Sequence, residues 1–307
     1  TTLFRSSTEA NRSAGANGVR IVSGTNQNFC LAARTVRVGR SDEMDIELVH
    51  QGSGEAILSN SSPVAVIPAT GVMQGNVTFG KKTWAVTAGG IVVGLADNAY
   101  ETDFSTSTTN SNMDITGDTA ISANSTALTL RFNTGTPTTV TIDAGRTLSL
   151  SGMNGGNIPG ILIPPHAGAV GIHGGNINQG LNNTLHIHHY GANPLVIGAR
   201  FSVGSGSAVA KCGGGELILT NDLNQFAGLH LYQGTVTCDA LTNGGVASQL
   251  GTSSSITLGD GTLRYVGTGH TSNKRIILRG AGTLDASGSG PLEFNQETNY
   301  VFMTQAS

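Results

Sequence analysis

Leu128-Thr129-Leu130-Arg131-Phe132 alternates apolar and polar residues with a period of two, and Val140-Thr141-Ile142 and Leu148-Ser149-Leu150 do the same downstream. That period is the signature of a half-buried strand, with Leu128, Leu130 and Phe132 on one face and Thr129 and Arg131 on the other. A Gly or Asn corner follows each run. Toward the N-terminus lie further short runs: Val19-Arg20-Ile21-Val22, Thr35-Val36-Arg37-Val38, Ile46-Glu47-Leu48-Val49, Val64-Ala65-Val66-Ile67, Trp84-Ala85-Val86 and Ile91-Val92-Val93. Asp97 to Asp118 interrupts them with Thr, Ser, Asn and Asp and reads as a loop inserted between strands. No apolar stripe at helical spacing appears anywhere. Short strands at spacings of roughly 8–12 residues signal a sandwich, a barrel or a solenoid.

The corners decide among these. Sandwich hairpins favour two-residue Asn-Gly or Asp-Gly turns. Here the corners are single Gly or Gly-X-Gly, and the strands span three to five residues. Such strands suit a coil that stacks on itself, because one rung cannot bury its apolar side alone. The expectation is an all-β, right-handed parallel β-helix with inward Leu, Ile and Val ladders. Its organisation reads as an N-terminal arm over 1–18, which is flexible or binds a partner. A single β-helix domain follows over 19–294, with the polar loop near 97–118, then a tail or edge strand over 295–307.

Composition sets the function classes. The 307 residues carry 16 basic and 19 acidic side chains, a net charge of -3, and only 11% charged residues. That balance offers no basic patch to displace counterions from phosphate, so nucleic acid is not an expected partner. No apolar stretch approaches the roughly 20 residues that a membrane helix needs. Glycine, at 44 residues, and abundant Ser, Thr and Asn disfavour helix. Low charge over a polar surface fits a secreted or cell-surface β protein. Of the three cysteines, Cys212 and Cys238 lie 26 residues apart, about one turn of such a coil. They are candidates for a disulfide between neighbouring rungs in an oxidising compartment. The alternative is buried free thiols that act as small hydrophobes. Cys30 is the odd cysteine.

The stretch Gly213-Gly214-Gly215-Glu216-Leu217-Ile218-Leu219-Thr220 continues with Asn224, Phe226 and Gly228, the strand Leu229-His230-Leu231 and the closing Gly234-Thr235-Val236. It resembles the autotransporter-associated β-strand repeat, with Asn221 in place of Gly, a turn one residue longer and Val236 in place of Leu. Ile256 to Tyr265 and Gly280 to Ala286 look like further coils. Leu130 to Asn133, Gly160 to Ile163, and Leu185 to His188 followed by Asn193-Pro194-Leu195 resemble the region preceding such repeats. The resemblance spans about Trp84 to Phe294. It implies a parallel β-helix exported to the cell surface, with no cofactor and no catalytic residues.

The residues offer few chemical alternatives. His186 and His188 fall on one strand face, where two imidazoles would hold zinc or copper if His166 or His173 supplied a third ligand from an adjacent rung. The competing reading is a strand that tolerates histidine; His188 also matches a position where the family often has His. The acidic run Asp42, Glu43, Asp45 and Glu47, or the loop residues Asp97, Asp103, Asp114 and Asp118, would bind calcium through oxygens or simply be solvated. Neither has EF-hand spacing. No adjacent Asp pair marks a polymer-cleaving groove, and no nucleophile elbow is present.

Three functions fit: a structural or adhesive module, a carbohydrate-binding or carbohydrate-cleaving β-helix, and a monomeric spacer. The first predicts homo-oligomers by end-to-end stacking, since open β-helix ends expose strand edges. Thr1, Thr2, Leu3 and Phe4 at one end and Tyr300, Val301 and Phe302 at the other are the assembly candidates. A surface glycan or matrix component is the alternative partner.

Overall fold

A computed structural model of the chain describes residues 16–25, 29–33, 43–51, 56–60, 75–88, 91–150, 158–202, 206–295 and 301–303; before residue 61 and after 300 it describes backbone, plus the Glu47 side chain. Thr1, Thr2, Leu3, Phe4 and Tyr300 lie outside these residues. Of the expected arm, residues 16–18 belong to a strand, Ala16–Thr25.

The architecture is a parallel β-solenoid of about seven turns. One sheet has nine strands and runs from Asn112–Ile115 to Val301–Met303; a second has ten and runs from Ser125–Ala127 to Thr283–Asp285. Register shows how sequence builds it. In the nine-stranded sheet Leu130, Ile161, Ile187, Lys211, Leu231, Leu258 and Leu278 occupy one column, so successive turns take between 20 and 31 residues. In the other sheet Leu195, Leu217, Val236, Leu263 and Leu284 form the matching column. Period two turns these residues inward, and they join one continuous core from Phe104 to Ile276. At roughly 25 cal/mol per Å² of apolar surface, this ladder is the main stabilising term.

The repeat-like residues have physical roles. Asn224 is buried at a corner and bridges three turns: Phe201 N–H donates to its Oδ1 at 3.0 Å, and its Nδ2 donates to the Gln249 carbonyl at 3.1 Å. Phe226 packs edge-on against Phe201 with centroids 5.4 Å apart. Gly213 adopts φ 71°, and a Cβ there would stand 2.5 Å from the His189 carbonyl oxygen.

The solenoid does not begin at residue 19. The strands from Ala16–Thr25 to Ile91–Gly94 form a separate seven-stranded sheet of mixed direction. Its first pairs are parallel, whereas Val77–Phe79, Thr83–Ala88 and Ile91–Gly94 pair antiparallel. Short apolar runs look alike in both settings, which is why the sequence reads as one series. The polar stretch 97–118 also differs from a plain loop. It holds a 3-10 turn, Asp97–Ala99, and the buried edge strand Asn112–Ile115. At the other end Val301–Met303 pairs in parallel with Arg275–Leu278, so the expected tail contains an edge strand.

The hairpin region docks on the outer face of the nine-stranded sheet. Trp84, Val86 and Leu95 form a second apolar cluster with Leu128 and Leu162. Gly75 N–H donates to the Ile158 carbonyl at 2.8 Å. Gly160 makes the approach possible, since a Cβ there would lie 2.4 Å from the Gly75 oxygen and 2.5 Å from Trp84 Cη2.

Candidate functional site

An open groove of about 630 Å³ runs along this junction, lined on one side by Phe79, Lys82, Thr83, Leu95 and Asp97 and on the other by Arg131, Asn133 and His166, with Glu47 at its edge. Its floor is an ion cluster on the outer face of the first two rungs. Asp114 and Arg131 are register partners on adjacent strands. Period two turns both away from the core ladder of Met113 and Leu130, so they stand side by side. Arg131 Nε and Nη2 each donate to Asp114 at 2.8 Å, a bidentate pair. Arg131 Nη1 lies 2.9 Å from Asp97 Oδ1, and the guanidinium sits 3.7 Å above the Tyr100 ring centroid. Burial works against the Arg131 charge, but the Asp114 hydrogen bonds outweigh it and hold its pKa above the ordinary value.

The surroundings lock this cluster. Tyr100 Oη lies 2.8 Å from Thr83 Oγ1, and Thr83 Oγ1 donates to the Leu95 carbonyl at 2.8 Å. Desolvation raises the Tyr100 pKa despite the nearby Arg131, so the phenol stays neutral. Asn133 Nδ2 donates to Asp114 at 3.1 Å, and Asn133 Oδ1 faces His166 Nε2 at 3.1 Å. Asp97 differs from Asp114: its side chain is 84% exposed, against 10%. One carboxylate is therefore structural, while the other is held out toward the groove by Arg131.

The sequence named Asp97 and Asp114 as calcium or loop acids, and the structure assigns both to Arg131. It did not single out Lys82, Tyr100 or Asn133. The available signal was Arg131, a lone charge within an otherwise uncharged strand, with Asp114 seventeen residues before it.

The histidine expectation is half met. His186 and His188 share a face, with near-parallel rings whose centroids are 6.2 Å apart. Both are fully buried. His188 Nε2 lies 3.1 Å from the Gly75 carbonyl oxygen, so this nitrogen carries the proton. Nδ1 then accepts from Tyr190 O–H at 3.3 Å, and Tyr190 Oη reaches Thr78 Oγ1 at 3.0 Å. His188 thereby ties the seven-stranded sheet to the solenoid and has no lone pair left for a metal. His166 is on the groove rim and His173 is exposed on the other sheet, so neither supplies the expected third ligand. Among the described residues no three His, Cys, Asp or Glu converge on a metal position.

The disulfide expectation is also corrected. Cys212 and Cys238 are both free and buried. They end strands of different sheets, Ala208–Cys212 and Thr235–Cys238, because the corner between them moves the chain to the other face. Burial, reinforced by Asp239, pushes the Cys238 thiol up to about 12. The Cys30 side chain lies outside the described residues.

Comparison of the chain with protein-family models, curated proteins and solved structures finds no match.

Proposed function

We propose that the chain is a non-enzymatic structural and adhesive module of the cell exterior that stacks end to end through its terminal coil. One ladder carries this reading. The core positions Leu217, Val236, Leu263 and Leu284 are register partners, and their exposures are 0%, 0%, 1% and 46%. The first three are sealed by the turn that follows each, and the fourth presents the apolar interior at the end of the solenoid. Leu278, in the equivalent column of the other sheet, is likewise only partly buried. Beside it, Val301–Met303 is the outermost strand of its sheet.

A parallel ladder supplies its own template. A further rung would continue the same hydrogen-bond pattern and cover the same column, and such a heterologous contact propagates instead of closing. The resemblance of Gly213 to Val236 to surface-exported repeats supports the exterior location. No transmembrane helix is needed for this role, and no described helix is long and apolar enough to cross a membrane.

Sedimentation velocity and negative-stain electron microscopy of wild type and Leu284→Glu test the proposal. Concentration-dependent end-to-end polymers that disappear in Leu284→Glu are expected. Monomers at every concentration would refute stacking and favour a solitary spacer.

A further inference from the structure

We infer that the groove between the hairpin region and the first rungs of the solenoid is a binding site for a neutral, polyhydroxylated saccharide. The inference does not depend on end-to-end stacking. Charged residues are 11% of the chain, yet four of the twelve lining residues are charged: Glu47, Lys82, Asp97 and Arg131. Two are acidic and two basic, so the groove concentrates charged hydrogen-bonding groups without net charge. That pattern disfavours a polyanion, which would require an excess of cations. It also disfavours an apolar ligand, which would leave these groups desolvated and unpaired.

Adjacent hydroxyls of a sugar are each both donor and acceptor, and need acceptors and donors placed close together. Asp97 is an exposed charged acceptor whose orientation Arg131 fixes at 2.9 Å. Lys82 is an exposed charged donor on the same side. Asn133 and His166, already aligned by their 3.1 Å contact, face them across the groove. Phe79 is half-buried in the lining and supplies a face for the C–H surface of a sugar ring. Gly94 keeps that ring in place, since a Cβ there would lie 3.1 Å from Phe79 Cδ1 and 2.6 Å from Thr83 Cγ2.

The cluster beneath gives an independent reason. A buried ion pair contributes little to stability compared with well-packed apolar residues, so its presence needs another explanation. Here Asp114, Tyr100 and Arg131 form a stiff support whose one outward product is the placement of Asp97. A volume near 630 Å³, open along its length, fits a few rings of a chain that passes through.

The test is an array of immobilised neutral and acidic glycans, followed by titration calorimetry with the best neutral oligosaccharide from it. Wild type, Asp97→Asn, Phe79→Ala and a surface control, Glu293→Gln, are compared. Each is also made in the Leu284→Glu background, so that loss of stacking and loss of binding are read separately. Fluorescence of Trp84, the single tryptophan, verifies that each variant is folded. Binding of neutral glycans by wild type and Glu293→Gln is expected, with affinity at least about tenfold lower in Asp97→Asn and in Phe79→Ala. No neutral glycan bound by folded wild type, binding confined to acidic glycans, or affinity unchanged in both groove variants would each overturn the inference.

Discussion

Acidification from pH 6.5 to 4 should destabilise the solenoid through His189. Its imidazole occupies the position next to Ile163 in the nine-stranded sheet and is fully buried. Desolvation, with repulsion from Lys211 adding to it and the Asn193 backbone partly opposing it, lowers the His189 pKa from 6.5 to about 4. Between these values the unfolded chain binds a proton that the folded chain refuses. Stability is therefore complete above pH 6.5 and falls as pH drops toward 4. The interval of 2.5 pH units, at 1.36 kcal/mol each, sets an upper value of about 3 kcal/mol. His230 shifts the same way, chiefly by desolvation, so the wild-type curve alone does not isolate His189. The assay is urea unfolding at half-unit pH steps for wild type and His189→Leu, which retains an apolar side chain at the site. Wild type should lose about 3 kcal/mol more than the variant across the window. Parallel curves would refute the argument, whatever the variant's absolute stability.

Gly160→Val should force Trp84 and the Gly75 turn off the solenoid, costing about 1–3 kcal/mol as an overpacked contact and shifting Trp84 emission to the red; an unchanged spectrum would contradict the docking. Asp114→Asn should cost about 3–5 kcal/mol by leaving the Arg131 charge poorly matched, while Asp114→Leu with Arg131→Met should be near neutral in urea unfolding. In a Cys30→Ser background, a thiol reagent should find no reactive group in the folded protein. It should find two after unfolding without reductant, since Cys212 and Cys238 are free and buried.

The sequence disclosed the solenoid because its inward residues obey period two and its corners carry residues that only those corners tolerate. Asn224, Phe226 and Gly213 could be read as repeat positions before their contacts were known. The sheet that covers the first rungs was not legible. Trp84-Ala85-Val86 and Ile91-Val92-Val93 have the same local pattern whether they pair in parallel or antiparallel, and only tertiary pairing separates the cases. The groove was hidden for the same reason. Asp97, Arg131 and His166 are far apart in sequence, and their meeting depends on register between turns of unequal length. The paired cysteines misled because 26 residues were taken as a full turn. Local turns there take 20 residues from Lys211 to Leu231 and 27 from Leu231 to Leu258, and the two cysteines fall on different faces.

The buried lysines explain how a coil without helices satisfies its corners. Carbonyls at a corner leave the ladder and, once buried, need a donor. Lys211 holds an inward column position between Ile187 and Leu231, where periodicity calls for an aliphatic side chain. Its stem fills that position, and its Nζ donates to the carbonyls of Cys212 at 3.0 Å and Gly213 at 2.6 Å. Lys274 repeats the solution, with Nζ donating to Gly251 at 3.1 Å and Ser253 at 2.5 Å, and desolvation lowers its pKa to about 8. A residue with a long apolar stem and three donors caps several carbonyls at once, which no aliphatic or hydroxyl side chain does. A charged residue inside an otherwise apolar ladder therefore marks where the chain turns, and it needs neither a metal nor a substrate to explain it.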